Sequence, residues 1–372
     1  MAKYFTKLDI EVFRGIIGLS LTDLGDVNII VGDNNSGKTS ILEAIQIISE
    51  PTMGNFLDVA EIRRNPSGAG VKDYVETALS IMQKHIDDNN RETYYLHIAA
   101  CEKNKPDERY IQVVAKRVSF LENAKVKSPP ALEFELNANG ESHTYTIEQN
   151  DISPSKRIAP FNPDEIVRNF QRVLIKAVST LHPSEDDVQN VNVGAVYAVD
   201  HIIGSDYHKI LNSKSQTEKA IRLLDIFKEN IVTMRYLNKN GVPVPIVDTD
   251  TREAVPLSEY GDGLKKTFAM MEAILEAENG ILLIDEYESA IHPSAMNSVF
   301  SFILRVCKEL NVQTFMTTHS IEAIDKLLGC DEAELDTIRV ITLKKKNGKI
   351  YSRIINGREA EQLRQNNDAE LR

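Results

Sequence analysis

The octapeptide from Gly32 to Thr39 constrains this chain more than any other stretch. It reads G-D-N-N-S-G-K-T and fits G-x-x-x-x-G-K-[ST] without a mismatch. Val27-Asn28-Ile29-Ile30-Val31 precedes it, a β-branched, apolar run that reads as a buried strand. Ile41, Leu42, Ile45 and Ile48 follow at the spacing of one helix face. A glycine-rich turn between strand and helix can point several backbone N–H groups at one anion. Gly32 permits the sharp turn, and Gly37 lets the backbone approach a phosphate with no Cβ in the way. Lys38 is then placed to reach phosphate oxygens, and the Thr39 hydroxyl to bind Mg²⁺. Asn34, Asn35, Ser36 and Ser40 complete the expected nucleotide-binding set. The competing reading is a glycine-rich turn that holds no ligand; the flanking strand and helix favour the phosphate.

Three further stretches bear on the same chemistry. Ile281 to Glu286 reads I-L-L-I-D-E, a short buried strand ending in two acids. Asp285 suits the metal, opposite Thr39, and Glu286 suits a water that it orients or deprotonates. A solvated turn after a strand is the alternative, since acids are common there. Thr317-Thr318-His319-Ser320 ends another apolar strand, where His319 can contact a γ-phosphate or simply be exposed. Gly261-Asp262-Gly263 opens an amphipathic helix with Leu264, Phe268, Met271 and Leu275 on its inner face. It reads either as a second anion-binding helix start or as a plain cap made by Asp262.

The order of these elements predicts an α/β fold, a P-loop NTPase whose core is split. Residues 1–50 and 230–372 form the expected core; residues 51–229 form an insertion. Within the insertion, residues 51–70 are turn-rich and a helix is expected over roughly 70–87. Four segments between Thr93 and Gln149 alternate like an antiparallel meander, and residues 160–235 carry helical spacing. Asn347-Gly348 marks a hairpin near the C-terminus. The chain has 372 residues, enough for one large domain or two. Its net charge of −12 argues against a surface that grips nucleic acid everywhere, although Lys344-Lys345-Lys346 is locally basic. Cys101, Cys307 and Cys330 show no metal spacing and suit a reducing, cytoplasmic setting. Met1–Asp9 has no signal-peptide core, and no apolar run approaches the ~20 residues that span a bilayer.

Taken together, the P-loop, the long insertion, the Gly261–Gly263 helix, I-L-L-I-D-E and T-T-H-S resemble the ABC-class ATPases. The chain is similar to the branch that holds SMC, RecF and OLD proteins, whose opening strand is matched by "LDIEVFRGI". "GDGLKKTFAMMEAILEAENGILLIDEYESAIHPS" and "VQTFMTTHSIEAI" look most like the OLD-type AAA ATPases of bacterial defence modules. The resemblance covers roughly residues 1–50 and 230–372. It implies an ABC-ATPase head and a homodimer or higher homo-oligomer, with ATP and Mg²⁺ between the P-loop of one copy and the Gly261 helix of the other. It implies catalytic roles for Lys38, Glu286 and His319, metal ligation by Thr39 and Asp285, and a nucleotide contact from Arg14. The match has departures: Gly261 stands where transporter-type heads carry the serine of S-G-G-Q, and no Q-loop glutamine is evident. Too short a segment follows His319 for the C-terminal Toprim nuclease of some OLD proteins. Asp248 and Asp250 in "VDTDT" read better as a hairpin turn than as a nuclease metal site. "NKNG" at Asn238–Gly241 lacks the acid that reads guanine, which favours ATP over GTP.

Four functions are weighed. The first is a switch or motor subunit of an anti-phage or toxin-like complex, whose effector, a nuclease or toxin, is a separate chain. The second is a DNA-repair or recombination ATPase of the RecF and SMC kind. The third is a nucleotide-gated scaffold that holds a partner inactive. A transporter subunit is disfavoured by the insertion and the missing S-G-G-Q. Glu286 argues for hydrolysis over gating alone.

Overall fold

The computed structural model describes residues 4–64, 74–86, 92–103, 108–122, 125–148, 191–196, 214, 217–218, 221, 230–239 and 242–367. The helices expected over most of 160–235 lie outside the described residues. The chain divides into two compact units: residues 1–6, 21–42 and 191–372 form one, and residues 7–20 and 43–190 the other.

The first unit is built on a six-stranded sheet. Its strands are β3 (Val27–Gly32), β9 (Val193–Val196), β13 (Ile281–Ile284), β14 (Gln313–Thr318), β15 (Ile338–Lys346) and β16 (Lys349–Asn356). Their order is β16-β15-β3-β14-β13-β9. Neighbours pair in parallel except β16, which returns antiparallel on β15. Every residue of β3, β13 and β14 is buried, as expected of strands covered on both faces. Four helices share one hydrophobic cluster with the strands: α4 (Asp262–Glu276), α5 (Pro293–Glu309), α6 (Ile321–Leu328) and α7 (Gly357–Asn367). Phe268, Ile274, Phe300, Ile303 and Ile324 lie in it with Ile29, Ile284 and Met316. Each such side chain contributes about 1.5–3 kcal/mol when fully buried. Helix α5 starts where His292 accepts from the Ser294 N–H and Pro293 fixes the first turn; α6 starts where Ser320 accepts from Ala323 N–H. A smaller sheet in the same unit holds β10 (Ile231–Lys239), β11 (Val242–Thr249) and β12 (Val255–Pro256).

The second unit carries a seven-stranded sheet. It comprises β1 (Phe5–Phe13), β2 (Ile16–Leu21), β4 (Gln83–Ile86), β5 (Glu92–Glu102), β6 (Glu108–Glu122), β7 (Lys125–Ala138) and β8 (Glu141–Glu148). The order is β2-β1-β5-β6-β7-β8, with β4 on β5. The expected meander is β5 to β8, antiparallel throughout. Helix α1 (Lys38–Ser49) begins in the first unit and ends in the second, followed by α2 (Met53–Arg64) and α3 (Tyr74–Leu79). At its end the buried Arg109 donates to Ser49 O at 2.8 Å and pairs with Glu102 at 2.8 Å, placing a cation where the helix dipole is negative.

The structure departs from the sequence reading at four places. Residues 53–64 are helical rather than a turn-rich connection, because Phe56, Leu57, Val59 and Ala60 supply a buried stripe between turn-forming ends. Among the described residues of 70–87, Tyr74–Leu79 is helical, whereas Gln83–Ile86 pairs with β5. The boundaries fall at 6/7, 20/21, 42/43 and 190/191 rather than at 50/51 and 229/230. The opening strands β1 and β2 therefore go largely with the second sheet, because β1 lies next to β5. Finally, "VGAV" at 193–196 is a strand of the first sheet. Gly194 explains why it fits: a Cβ there would sit 1.7 Å from the Ala273 carbonyl oxygen of α4.

Buried amides hold the first unit together. Gln313 is fully buried; its Oε1 accepts from Tyr4 N and Phe5 N at 3.0 and 2.9 Å. Its Nε2 donates to Phe5 O at 2.9 Å and Gly25 O at 2.8 Å. Asn28 closes the set, donating to Gly25 O and Thr314 O and accepting from Gly25 N. Gln313→Leu strands these main-chain groups, so urea unfolding should show a loss of roughly 2–4 kcal/mol. Gly194→Ala should destabilise by about 1–3 kcal/mol or more through overpacking against α4. A Gln313→Leu variant with wild-type stability would show that the amide is not a keystone.

Candidate functional site

The carboxyl ends of β3, β13 and β14 lie side by side, since Ile284 is in register with Met316 and Val31 with Thr318. In parallel α/β sheets that edge is where ligands bind. Gly32, at the end of β3, has φ 156°, and a Cβ there would meet Leu343 O at 2.7 Å and Ser36 Oγ at 2.8 Å. Asn35 (φ 64°) and Gly37 (φ 97°) complete the turn into α1. Asn34 and Asn35 are exposed, whereas Ser36 and Ser40 are buried. Ser36 Oγ has no hydrogen-bond partner among the described residues, an orphan inside a loop shaped like an anion cradle.

Lys38 folds back over the loop. Its Nζ donates to Gly32 O at 2.7 Å and Asp33 O at 3.0 Å. Burial lowers its pKa below the usual lysine range, and the carboxylates of Asp285, Glu286, Asp33 and Glu288 partly offset that. A phosphate beside it would add negative charge of the same restoring sign.

Thr39 and Asp285 stand 246 residues apart in sequence and meet in space. Thr39 Oγ1 donates to the Asp285 carboxylate, with oxygen distances of 3.1 and 3.0 Å. A hydroxyl and a carboxylate facing each other are the oxygen donors a hard divalent cation selects. The residues present therefore fit Mg²⁺ with a phosphate on the loop N–H groups. Asp285 is fixed from behind: Thr317 Oγ1 donates to its Oδ1 at 2.6 Å, and its own N–H donates to Val196 O at 2.8 Å.

Glu286 follows in a left-handed conformation, φ 49°, which a non-glycine residue adopts only under constraint. The constraint is Thr317 again: Glu286 N donates to its Oγ1 at 2.9 Å, and Tyr287 N to its carbonyl at 3.2 Å. His319, half exposed, sits with Nδ1 3.7 Å from Glu286 Oε1 and 3.7 Å from Glu288 Oε1. Lys38, Thr39, Asp285, Glu286 and His319 thus converge on one sheet edge.

The other expected residues have surroundings of their own. Gly261 is the N-cap of α4 with no side-chain cap, so Asp262 does not cap the helix; it pairs with Lys265 at 2.7 Å. Gly261 and Asp262 are exposed and Gly263 is half-buried. Helix α4 nevertheless reaches the site through Lys266, fully buried, whose Nζ lies 3.5 Å from Asp285 O. Arg14, expected at the nucleotide, belongs to the second unit and pairs with the buried Glu43 of α1 at 2.7 Å. Asp248 is engaged as a turn residue: the Ala254 N–H, at 2.6 Å, and Arg235, at 3.0 Å, hold its carboxyl below the usual range. No group of three or more metal-ligating side chains occurs among the described residues. Asn238 and Lys239 form the end of β10, paired with Pro243 and Val242. Sequence reasoning gave no role to Thr317, Lys266 or Glu288. The signal for Thr317 was its place near the carboxyl end of a fully buried strand, where a hydroxyl needs a hydrogen-bond partner.

Thr317→Val removes one donor to Asp285 and the acceptor for Glu286 N. The loss in unfolding free energy should be roughly 1–3 kcal/mol, and Thr317→Ser should restore most of it. Equal stabilities for Val, Ser and wild type would contradict the assigned contacts.

Comparison with known proteins places the chain in a family and a fold class. A relative from Helicobacter pylori (strain ATCC 700392 / 26695), named ATP/GTP phosphatase, is 26% identical over 334 residues, 86% of each chain. The methionine import ATP-binding protein MetN 1 of Listeria monocytogenes serotype 4b (strain F2365) is 27% identical over 158 residues, 42% of each chain. In fold, the chain is similar to the SMC head bound to the C-winged helix domain of ScpA, with a TM-score of 0.51 and 13% identity over 97% of this chain and 100% of that one. The fold is of the P-loop NTPase class. Residues 27–325 match the model of one family, and the chain belongs to it: "AAA domain, putative AbiEii toxin, Type IV TA system".

Proposed function

We propose that this chain binds Mg²⁺–ATP and hydrolyses it, as the switch or motor subunit of a toxin-like or anti-phage complex whose effector is a separate protein. The observation that carries the reading is the Thr39–Asp285 contact at 3.0–3.1 Å beside the Gly32–Thr39 cradle. Mg²⁺ held there by Thr39 and Asp285 would neutralise phosphate charge. The chain's own residues do the rest. Lys38 exchanges the carbonyls of Gly32 and Asp33 for phosphate oxygens. Loop N–H groups and the Ser36 hydroxyl bind and orient the phosphates. Glu286, held in its left-handed turn, orients the attacking water and takes its proton. His319 sits where it can register the γ-phosphate.

Helix α4 opens at an exposed N-cap, Gly261, that has no side-chain cap, which supports a head-to-head homodimer in which that turn faces the phosphates of a second copy. Lys266 ties the same helix to the Asp285 turn. The family's type IV TA term supports the toxin-like setting. The RecF and SMC reading, in which the dimer grips DNA, has in its favour the fold alone. ATP is preferred over GTP on the absence of a guanine-reading motif, although the Helicobacter relative carries both nucleotides in its name.

The test is turnover and solution mass for wild type and Glu286→Gln, with ATP and with GTP. The reading predicts Mg²⁺-dependent ATP turnover that falls at least about 100-fold in Glu286→Gln, and an ATP-dependent doubling of mass that the variant prolongs. Wild type that binds no nucleotide, or turnover unaffected by Glu286→Gln, sinks it. Binding without turnover, and a mass that ignores nucleotide, supports the gated scaffold instead.

A further inference from the structure

Glu288 has no role in the chemistry above, yet it is buried beside it. Its side chain is 9% exposed, on the turn that follows Asp285 and Glu286. Oε1 accepts from Thr318 Oγ1 at 2.6 Å and from His319 N at 3.3 Å, and His319 Nδ1 lies 3.7 Å away. Oε2 is buried with no hydrogen-bond partner among the described residues. Burying a carboxylate with one oxygen unpartnered costs folding free energy. A loop clamp chosen for stability alone would be a neutral, fully bonded side chain. The clamp also acts on one side only. Glu288 grips the strand end that carries His319, while Thr317, two residues earlier, grips the turn that carries Glu286. The two turns are interlocked, each holding the other's reactive residue in place.

We propose that Glu288 is a positioning residue: it fixes His319 next to Glu286, so that the imidazole and the water-orienting carboxylate keep one relative geometry. The inference rests on the ATPase reading, and deepens it. The role belongs to the acceptor oxygen Oε1. Glu288→Gln keeps an acceptor there, and Glu288→Ala removes it. Thr318→Val removes one of the two donors without touching the carboxylate.

Two readouts separate positioning from mere stability and from failure of the ATPase reading. The first is steady-state ATP turnover. Glu288→Ala should lower kcat roughly 10- to 100-fold with KM changed less than about threefold, because misplacement near 1 Å costs on that scale. Glu288→Gln should recover to within about fivefold of wild type, and Thr318→Val should fall between. The second needs no turnover. In the full chain labelled with ¹³C-histidine, the His319 Cε1–H resonance, assigned by its loss in His319→Asn, should shift or broaden in Glu288→Ala and stay near its wild-type position in Glu288→Gln. An unmoved His319 resonance in Glu288→Ala overturns the proposal whatever the activity. So does a Gln variant as impaired as Ala, or a kcat within threefold of wild type in Glu288→Ala. If wild type shows no turnover but the resonance moves as expected, the ATPase reading fails and the positioning of His319 stands.

Discussion

The Asp285 carboxylate is the point on which the candidate site depends. It accepts from Thr39 Oγ1, on the first turn of α1, and from Thr317 Oγ1, at the end of β14. Those three residues come from three segments far apart in the chain, and only the parallel order β3-β14-β13 brings them together. The carboxylate is buried, so each hydroxyl offsets part of its desolvation. On the proposed reading, these oxygen donors would hold the cation, with the Gly32–Thr39 loop as the phosphate cradle on the same edge. Preorganisation of this kind lets a site bind charge without first rearranging.

The sheet supports that carboxylate through its least visible parts. Gln313 and Asn28 carry their amides into the core and satisfy main-chain groups at the start of β1 and before β3. They fix where β3 and β14 begin, and hence where both strands end. Strand β9 contributes Val196, whose carbonyl accepts from the Asp285 N–H, and Gly194, which lets α4 press against the sheet. Helix α4 in turn brings Lys266 to the Asp285 carbonyl. Two of the non-glycine residues held in left-handed conformations, Glu286 and Asn35, lie at the site.

The parts legible in the sequence are those whose reasons are local. The P-loop has fixed spacing between glycines, lysine and threonine, and both its flanks are strongly periodic. Helices α5 and α6 carry side-chain caps, α4 has its apolar spacing, and Asn347–Gly348 is a hairpin turn, all of which can be read directly. What was hidden depends on partners distant in sequence. Strand β9 is four residues with a glycine, too short to read, and exists because β13 pairs with it. The strand β2 and the assignment of β1 follow from pairing in the second sheet. Glu288 and Thr317 look like ordinary turn and strand-end residues until their hydrogen bonds are seen. Arg14 resembles a nucleotide contact by motif position, and its pairing with Glu43 of α1, at 2.7 Å, has no signal in the sequence. The expected helices of residues 160–235 lie mostly outside the described residues.

On the proposed reading, Gly32–Thr39 and Asp285 make one metal-dependent nucleotide site. Calorimetric titration of ATP into the full chain, with Mg²⁺ and then with EDTA, tests it most directly. The account predicts a single nucleotide per chain, and an affinity at least about tenfold weaker once the metal is removed, a loss of about 1.4 kcal/mol. Binding of equal strength with and without metal, or no binding at all, would contradict it.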